Sequence, residues 1–104
     1  MKIYITQTDI NETIRLTIVK VSRKLDLDDI EWKTSNELYE EIKLSNNPLF
    51  PLLDDYLLNY MAWVSFIQDH KDSEEYTLEE RKKLDKLTHN RNLTRADLKK
   101  AIEA

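Results

Sequence analysis

Ser65, Asp69 and His70 bring a hydroxyl, a carboxylate and an imidazole into one short stretch, the parts of an acyl-transfer triad. Such a triad works only when the base reaches the nucleophile and a third group orients the base. Asp69 and His70 are adjacent, so on a helix they point in different directions, and no catalysis is expected from this trio. The other histidine, His89, stands apart. Neither histidine lies in a HExxH pattern or a His-x-x-x-His pair, so no metal site is expected from them. Both read as loop or helix-end residues, where positive charge suits the helix dipole.

Carboxylates are more plentiful. Glu37, Glu40 and Glu41, and the pair Asp54 and Asp55, supply the groups that acid–base chemistry needs. That chemistry requires one carboxyl desolvated and another kept ionised. These acids instead fall in the first turns of amphipathic segments, as helix-start and surface charges do. The segment from Asp26 also resembles a calcium loop in part, with Asp26, Asp28, Thr34 and Glu37 at positions one, three, nine and twelve. Ile30 then occupies position five, where an oxygen ligand belongs. Glu31 stands where the sharp turn needs glycine, and Lys33 stands where an apolar residue is usual. A solvated acidic connector is the reading that survives.

Composition narrows the chemistry further. The 104 residues include no glycine, which removes the phosphate loop and the dinucleotide fingerprint. The absence of cysteine removes disulfides, thiolate metal sites, thiol catalysis and iron–sulfur ligation, and favours a reducing, cytoplasmic setting. No cofactor is expected. Met1 to Tyr4 carries no long apolar run, so no secretory leader is expected. Leu49 to Ile67 approaches membrane-span length, but Asp54, Asp55 and Asn59 interrupt it, so it reads as a buried helix and no membrane is expected as a partner.

The net charge of −4 is unevenly spread. Residues 1–25 hold five basic and two acidic side chains, residues 26–76 three and thirteen, and residues 77–104 eight and five. The acidic middle weighs against non-specific nucleic-acid binding by the whole chain, while leaving a local basic face free to bind.

The elements that position these groups follow from spacing. Ile3 and Ile5 alternate with Lys2, Tyr4 and Thr6, a short strand signal over residues 2–7. Asp9 and Glu12 have capping-box spacing, and Ile10, Ile14, Ile18, Val21 and Leu25 predict a helix over residues 10–24. Ile14, Leu16 and Ile18 also alternate in a segment rich in β-branched residues, so a second strand pairing with the first is the competing reading. Ser35 is the expected cap of a helix over residues 36–45, ended by Asn46 or Asn47 in the left-handed conformation and then by Pro48. Pro51 opens a central helix over residues 51–69, apolar nearly all round and expected to be enclosed by others. Thr77 and Glu80 form a capping box for a helix to about Thr88, with Leu78, Leu84 and Leu87 inward. His89 to Asn92 reads as a polar turn. Thr94 and Asp97 then open a last helix, with Leu93 stapled to Leu98.

The expectation is therefore a mostly α, compact bundle of four or five helices in a single domain spanning residues 1–104, with a short N-terminal strand or hairpin. The function expected is that of a non-enzymatic binding protein: a small regulator, inhibitor or assembly factor of the size found among phage or mobile-element accessory proteins. Its surface comprises Asp26, Asp28, Asp29, Glu31, Trp32, Glu37, Tyr39, Glu40 and Glu41, with Trp32 and Tyr39 as anchors, facing a basic protein partner. One alternative is a nucleic-acid-binding regulator. It would use Lys82, Lys83, Lys86, Arg91, Arg95 and Lys99 on a C-terminal helical hairpin resembling a helix-turn-helix in outline. The other is a component that self-associates as a homo-oligomer.

Overall fold

The computed structural model describes residues 2–104, and its regular elements are all helical. They are α1 (Gln7–Lys24), a short 3-10 turn (Ile30–Trp32), α2 (Ser35–Leu44), α3 (Leu49–Asp69) and α4 (Leu78–Glu103).

The strand expected over residues 2–7 is not present. Two alternating isoleucines have no second strand to pair with, and a lone strand leaves its backbone groups unsatisfied. Thr6 instead caps α1. Its hydroxyl accepts from the Asp9 backbone N–H at 3.1 Å, and its own N–H donates to the Asp9 carboxylate at 3.2 Å. The capping box thus lies one turn earlier than Asp9 and Glu12 imply, and residues 10–24 are helix rather than strand. Thr34, not Ser35, caps α2, through a reciprocal box with Glu37. Thr77 and Glu80 form the third such box, at the start of α4.

A chain without glycine must find other residues for left-handed backbone. Asp26, Asp29 and Asn46 take those positions, with φ of 55, 54 and 53°. Short polar side chains tolerate this region better than others because they can bond locally to the backbone. Asn46 ends α2 in this way. Asn47 then starts α3, its side-chain oxygen accepting from the Leu49 N–H at 2.9 Å.

The central α3 contributes more of the core than any other element. Leu53, Tyr56, Tyr60, Trp63, Val64, Phe66 and Ile67 are buried along it, joined by Ile18 and Val21 of α1, Leu38 and Ile42 of α2, and Leu84 and Leu98 of α4. Its enclosure is incomplete, because no helix covers the strip carrying Leu58, which is 64 % exposed, and Met61. No helix among the described residues is long and apolar enough to cross a membrane.

The largest departure from expectation is α4. The turn at His89–Asn92 does not form, and one helix of 26 residues runs through it. No glycine or proline interrupts the segment, and its contacts with α3 continue across the junction. Trp63 Nε1 donates to Thr88 Oγ1 at 3.1 Å, and the Arg91 guanidinium stacks 4.2 Å from the Trp63 ring centroid. Thr94 does not cap a new helix. Its hydroxyl donates back to the Asn90 carbonyl at 2.8 Å, a bond that satisfies it inside a continuous helix. Leu93 and Leu78 are exposed rather than inward. A rod of this length makes the molecule elongated, at 46 × 26 × 19 Å. Its radius of gyration is 15.3 Å, against about 13 Å for a round domain of this size.

Lys83 lies over the Phe66 ring and Arg91 over the earlier Trp63 ring, so α3 and α4 run antiparallel. The Lys2 ammonium bonds the His70 carbonyl, and Lys24 Nζ donates to the Ala104 carbonyl at 2.9 Å. Therefore α1 runs antiparallel to α3 and alongside α4 in the same sense. Its packing against α4 is sparse, while α2 and the 3-10 turn rest on its other side.

Candidate protein-binding surface

The acidic connector is a built turn. Leu27 and Ile30 pack against the core and anchor it from below. Leu27 N–H donates to the Ser22 carbonyl at 3.0 Å, and Trp32 N–H donates to the Asp29 carbonyl at 3.0 Å. Arg15, reaching across from α1, fixes the outer limb. One guanidinium nitrogen donates to the Lys33 carbonyl at 2.8 Å and another to the Ile30 carbonyl at 3.0 Å. The planar fork of arginine suits two convergent carbonyls, and ionic donors make stronger bonds than neutral ones.

Above this brace, Trp32 is 87 % exposed, the highest among the large hydrophobic side chains exposed here. It borders a shallow hollow of about 310 Å³, lined also by Arg23, Leu27, Asp29, Ile30 and Glu31. Asp29 and Glu31 line it opposite one cation, Arg23, and Asp26 and Asp28 are exposed on the same turn. Most large aromatics cover apolar surface with their faces. Here the indole stands in solvent on a backbone that Arg15 holds through two carbonyls, on a turn rich in carboxylates.

The remaining predicted contact residues divide by role. Glu40 is exposed on α2. Glu37 is exposed but committed, its carboxylate accepting from the Thr34 N–H at 3.1 Å. Hydrogen bonds from the Thr34 backbone and side chain hold its pKa below the usual value. Glu41 is half-buried and paired with Lys33, whose ammonium lies 3.0 Å from the carboxylate. That bond raises the pKa of Lys33, with burial opposing and the charges of Asp29 and Asp28 adding. Tyr39 is not the free anchor expected. Its hydroxyl donates to Asp54 at 2.7 Å and its ring meets Phe50 edge-on at 5.4 Å. The bond to Asp54, with burial and nearby negative charge, pushes its pKa up to about 12. Of the nine, Asp26, Asp28, Asp29, Glu31, Trp32 and Glu40 are left exposed, with no side-chain bond among the described residues.

The six basic residues expected on a C-terminal hairpin fare differently. There is no hairpin, and on one straight helix they do not share a face. Lys82 and Arg91, like Lys86 and Arg95, are nine residues apart, about two and a half turns, and so face opposite ways. Lys82, Lys83 and Lys86 are exposed, with the Lys83 ammonium 6.0 Å over the Phe66 ring, whereas Arg91, Arg95 and Lys99 are spaced four apart, Arg91 over Trp63 and the other two facing α1.

The histidines are occupied or isolated. His70 Nδ1 lies 2.7 Å from the Phe66 carbonyl and Nε2 lies 2.9 Å from Glu80, while its ring stacks on Phe66 at 4.1 Å. A ring engaged on both nitrogens is not placed to serve Ser65, which is exposed. His89 is exposed. Among the described residues no three acidic or histidine side chains gather in a way that would hold a metal ion.

Set beside known proteins, the chain matches no family model, no curated protein and no solved structure.

Proposed function

We propose that this protein is a non-enzymatic binding module, a small regulator, inhibitor or assembly factor that acts by occupying a basic surface on another protein. The contact is the turn from Asp26 to Trp32. The observation that carries this reading is Trp32, 87 % exposed on a turn that Arg15 braces through two backbone carbonyls. An exposed indole on an ordered backbone loses little conformational freedom on docking, and tryptophan is enriched among the residues that dominate binding energy. The four carboxylates on the same turn steer a positively charged partner toward it and set the orientation of the encounter.

The test is affinity capture from native lysate with the wild-type chain and with Trp32→Ala, followed by direct binding measurements on the protein recovered. Trp32→Ala weakens binding by about thirtyfold or more, as the loss of a central anchor does. Replacing Asp28 and Asp29 by asparagine slows association and flattens its dependence on salt. A partner that binds Trp32→Ala as tightly as wild type removes the basis for this reading.

A further inference from the structure

Between α1 and the second half of α4 the sparse packing leaves a groove of about 600 Å³. Such a volume lies within the range of sites for small organic ligands. Its floor includes Tyr56, Leu98 and Ile102, and its rim carries Lys20 from α1 with Arg95 and Lys99 from α4. It shares no lining residue with the hollow beside Trp32.

Its cations lack the counter-charges that usually accompany them. The ion pair of Lys33 with Glu41 and the contact of His70 with Glu80 both lie elsewhere. One carboxylate, Glu103, borders the groove against three cations. A fourth cation, Arg91, stands immediately behind. It donates to the Asn92 side-chain oxygen at 2.9 Å, and Arg95 donates to the same oxygen at 3.3 Å. Two guanidinium groups therefore gather on one neutral acceptor. Burial lowers the pKa of Arg91, and the charge of Arg95 lowers it further. Tyr56 records the same crowding: burial raises its phenol, while Arg95 and Arg91 pull it back. Like charges held together above an apolar floor are stabilised by an anion brought in from outside.

We propose that this groove is a binding site for a small amphipathic organic anion. Its carboxylate or phosphate head meets Arg95, Lys99 and Lys20, and its apolar body lies on Tyr56, Leu98 and Ile102. Arg91 is a positioning residue: stacked on Trp63 at 4.2 Å, it holds Asn92 and through it the Arg95 guanidinium. The site is independent of the Trp32 surface, so either can fail without the other.

The experiment titrates the full chain with octyl phosphate and octanoate, and in parallel with octanol, inorganic phosphate and a poly-glutamate peptide. Calorimetry and backbone amide shifts provide the readouts. Saturable one-to-one binding of octyl phosphate or octanoate is expected, with shifts centred on Lys20, Arg95 and Lys99; the better of the two identifies the preferred head. Octanol and inorganic phosphate each bind at least about tenfold more weakly, because each lacks one half of the recognition. The double variant Arg95→Glu with Lys99→Glu, both exposed positions, loses at least about tenfold in affinity with its circular dichroism unchanged. Lys82→Glu with Lys86→Glu, on the opposite face, leaves affinity unchanged, as does Trp32→Ala. No saturable binding by either amphiphile would overturn the proposal. So would equal binding of octanol or inorganic phosphate, tighter binding of the peptide, or full affinity in the Arg95 and Lys99 double variant.

Discussion

Two regions of this molecule are held together by different physics. The long hairpin of α3 and α4 is an apolar structure, in which Tyr60, Trp63, Phe66, Ile67 and Leu84 are buried, and its polar contacts are few. The connector between α1 and α2 is shaped by polar bonds: two from Arg15, two left-handed aspartates, and the box at Thr34. Packing a core spreads stability over many contacts, each small. Bonding a turn concentrates its shape in a few groups, each replaceable and each consequential locally. That is how a short surface segment keeps an indole in water without letting it collapse onto the nearest apolar patch.

The contrast breaks first in the hairpin. Ile67→Ala, at a position 2 % exposed, costs about 3 kcal/mol of global stability, seen as a lower midpoint in thermal and urea unfolding. The connector answers differently. Arg15→Met removes two charge-assisted bonds at a partly exposed site, worth about 2 kcal/mol together. Hydrogen exchange then accelerates chiefly over residues 26–34, with α3 and α4 protected as before. If protection fell equally in both regions, the connector and the hairpin would be one cooperative unit and the distinction would go.

The smallest effect comes from acid. Asp9, Glu37 and Glu80 occupy the third position of their helices, and hydrogen bonds from Thr6, Thr34 and Thr77 respectively hold their pKa values below the ordinary 3.8 for Asp9 and 4.5 for the glutamates. Each therefore favours the folded state when ionised. That contribution is complete above pH 4.5 and disappears as pH falls through the depressed folded values. Thermal midpoints taken from pH 5 to pH 2 should decline over that interval, with a shallower decline in Thr34→Ala. An unchanged slope in that variant would separate the capping bonds from acid sensitivity.

Much of the fold was legible because its signals were local. Thr77 with Glu80 marks the start of α4, and the apolar run after Pro51 marks α3. Asn46 was one of two candidates for the left-handed cap, and it holds that place. The N-terminus was misread because Ile3 and Ile5 alternate, and alternation carries no information about whether a partner strand exists. The box of Thr6 with Asp9 is less visible than that of Thr77 with Glu80, because the usual acid at that position is glutamate. At His89–Asn92, two asparagines and a histidine resemble a turn in isolation, but contacts from Trp63 keep the helix intact, and those join residues far apart in sequence. The same misreading concealed the groove. Arg91, Arg95 and Lys99 stand at intervals of four, a visible stripe only if the helix is continuous. The exposure of Trp32 beside the acidic turn was legible. Tyr39 was not distinguishable from Trp32, since the acceptor that claims its hydroxyl, Asp54, lies in another helix.

The chain carries two tryptophans, and the fold places them in opposite surroundings: Trp63 is 8 % exposed and Trp32 87 %. Indole emission moves to longer wavelength in water, so the protein is equipped with two separate optical gauges. With Trp63→Phe the remaining signal reports the surroundings of the acidic turn; with Trp32→Phe it reports the integrity of the hairpin. Contact by a partner and loss of structure can thus be watched separately, with no attached dye.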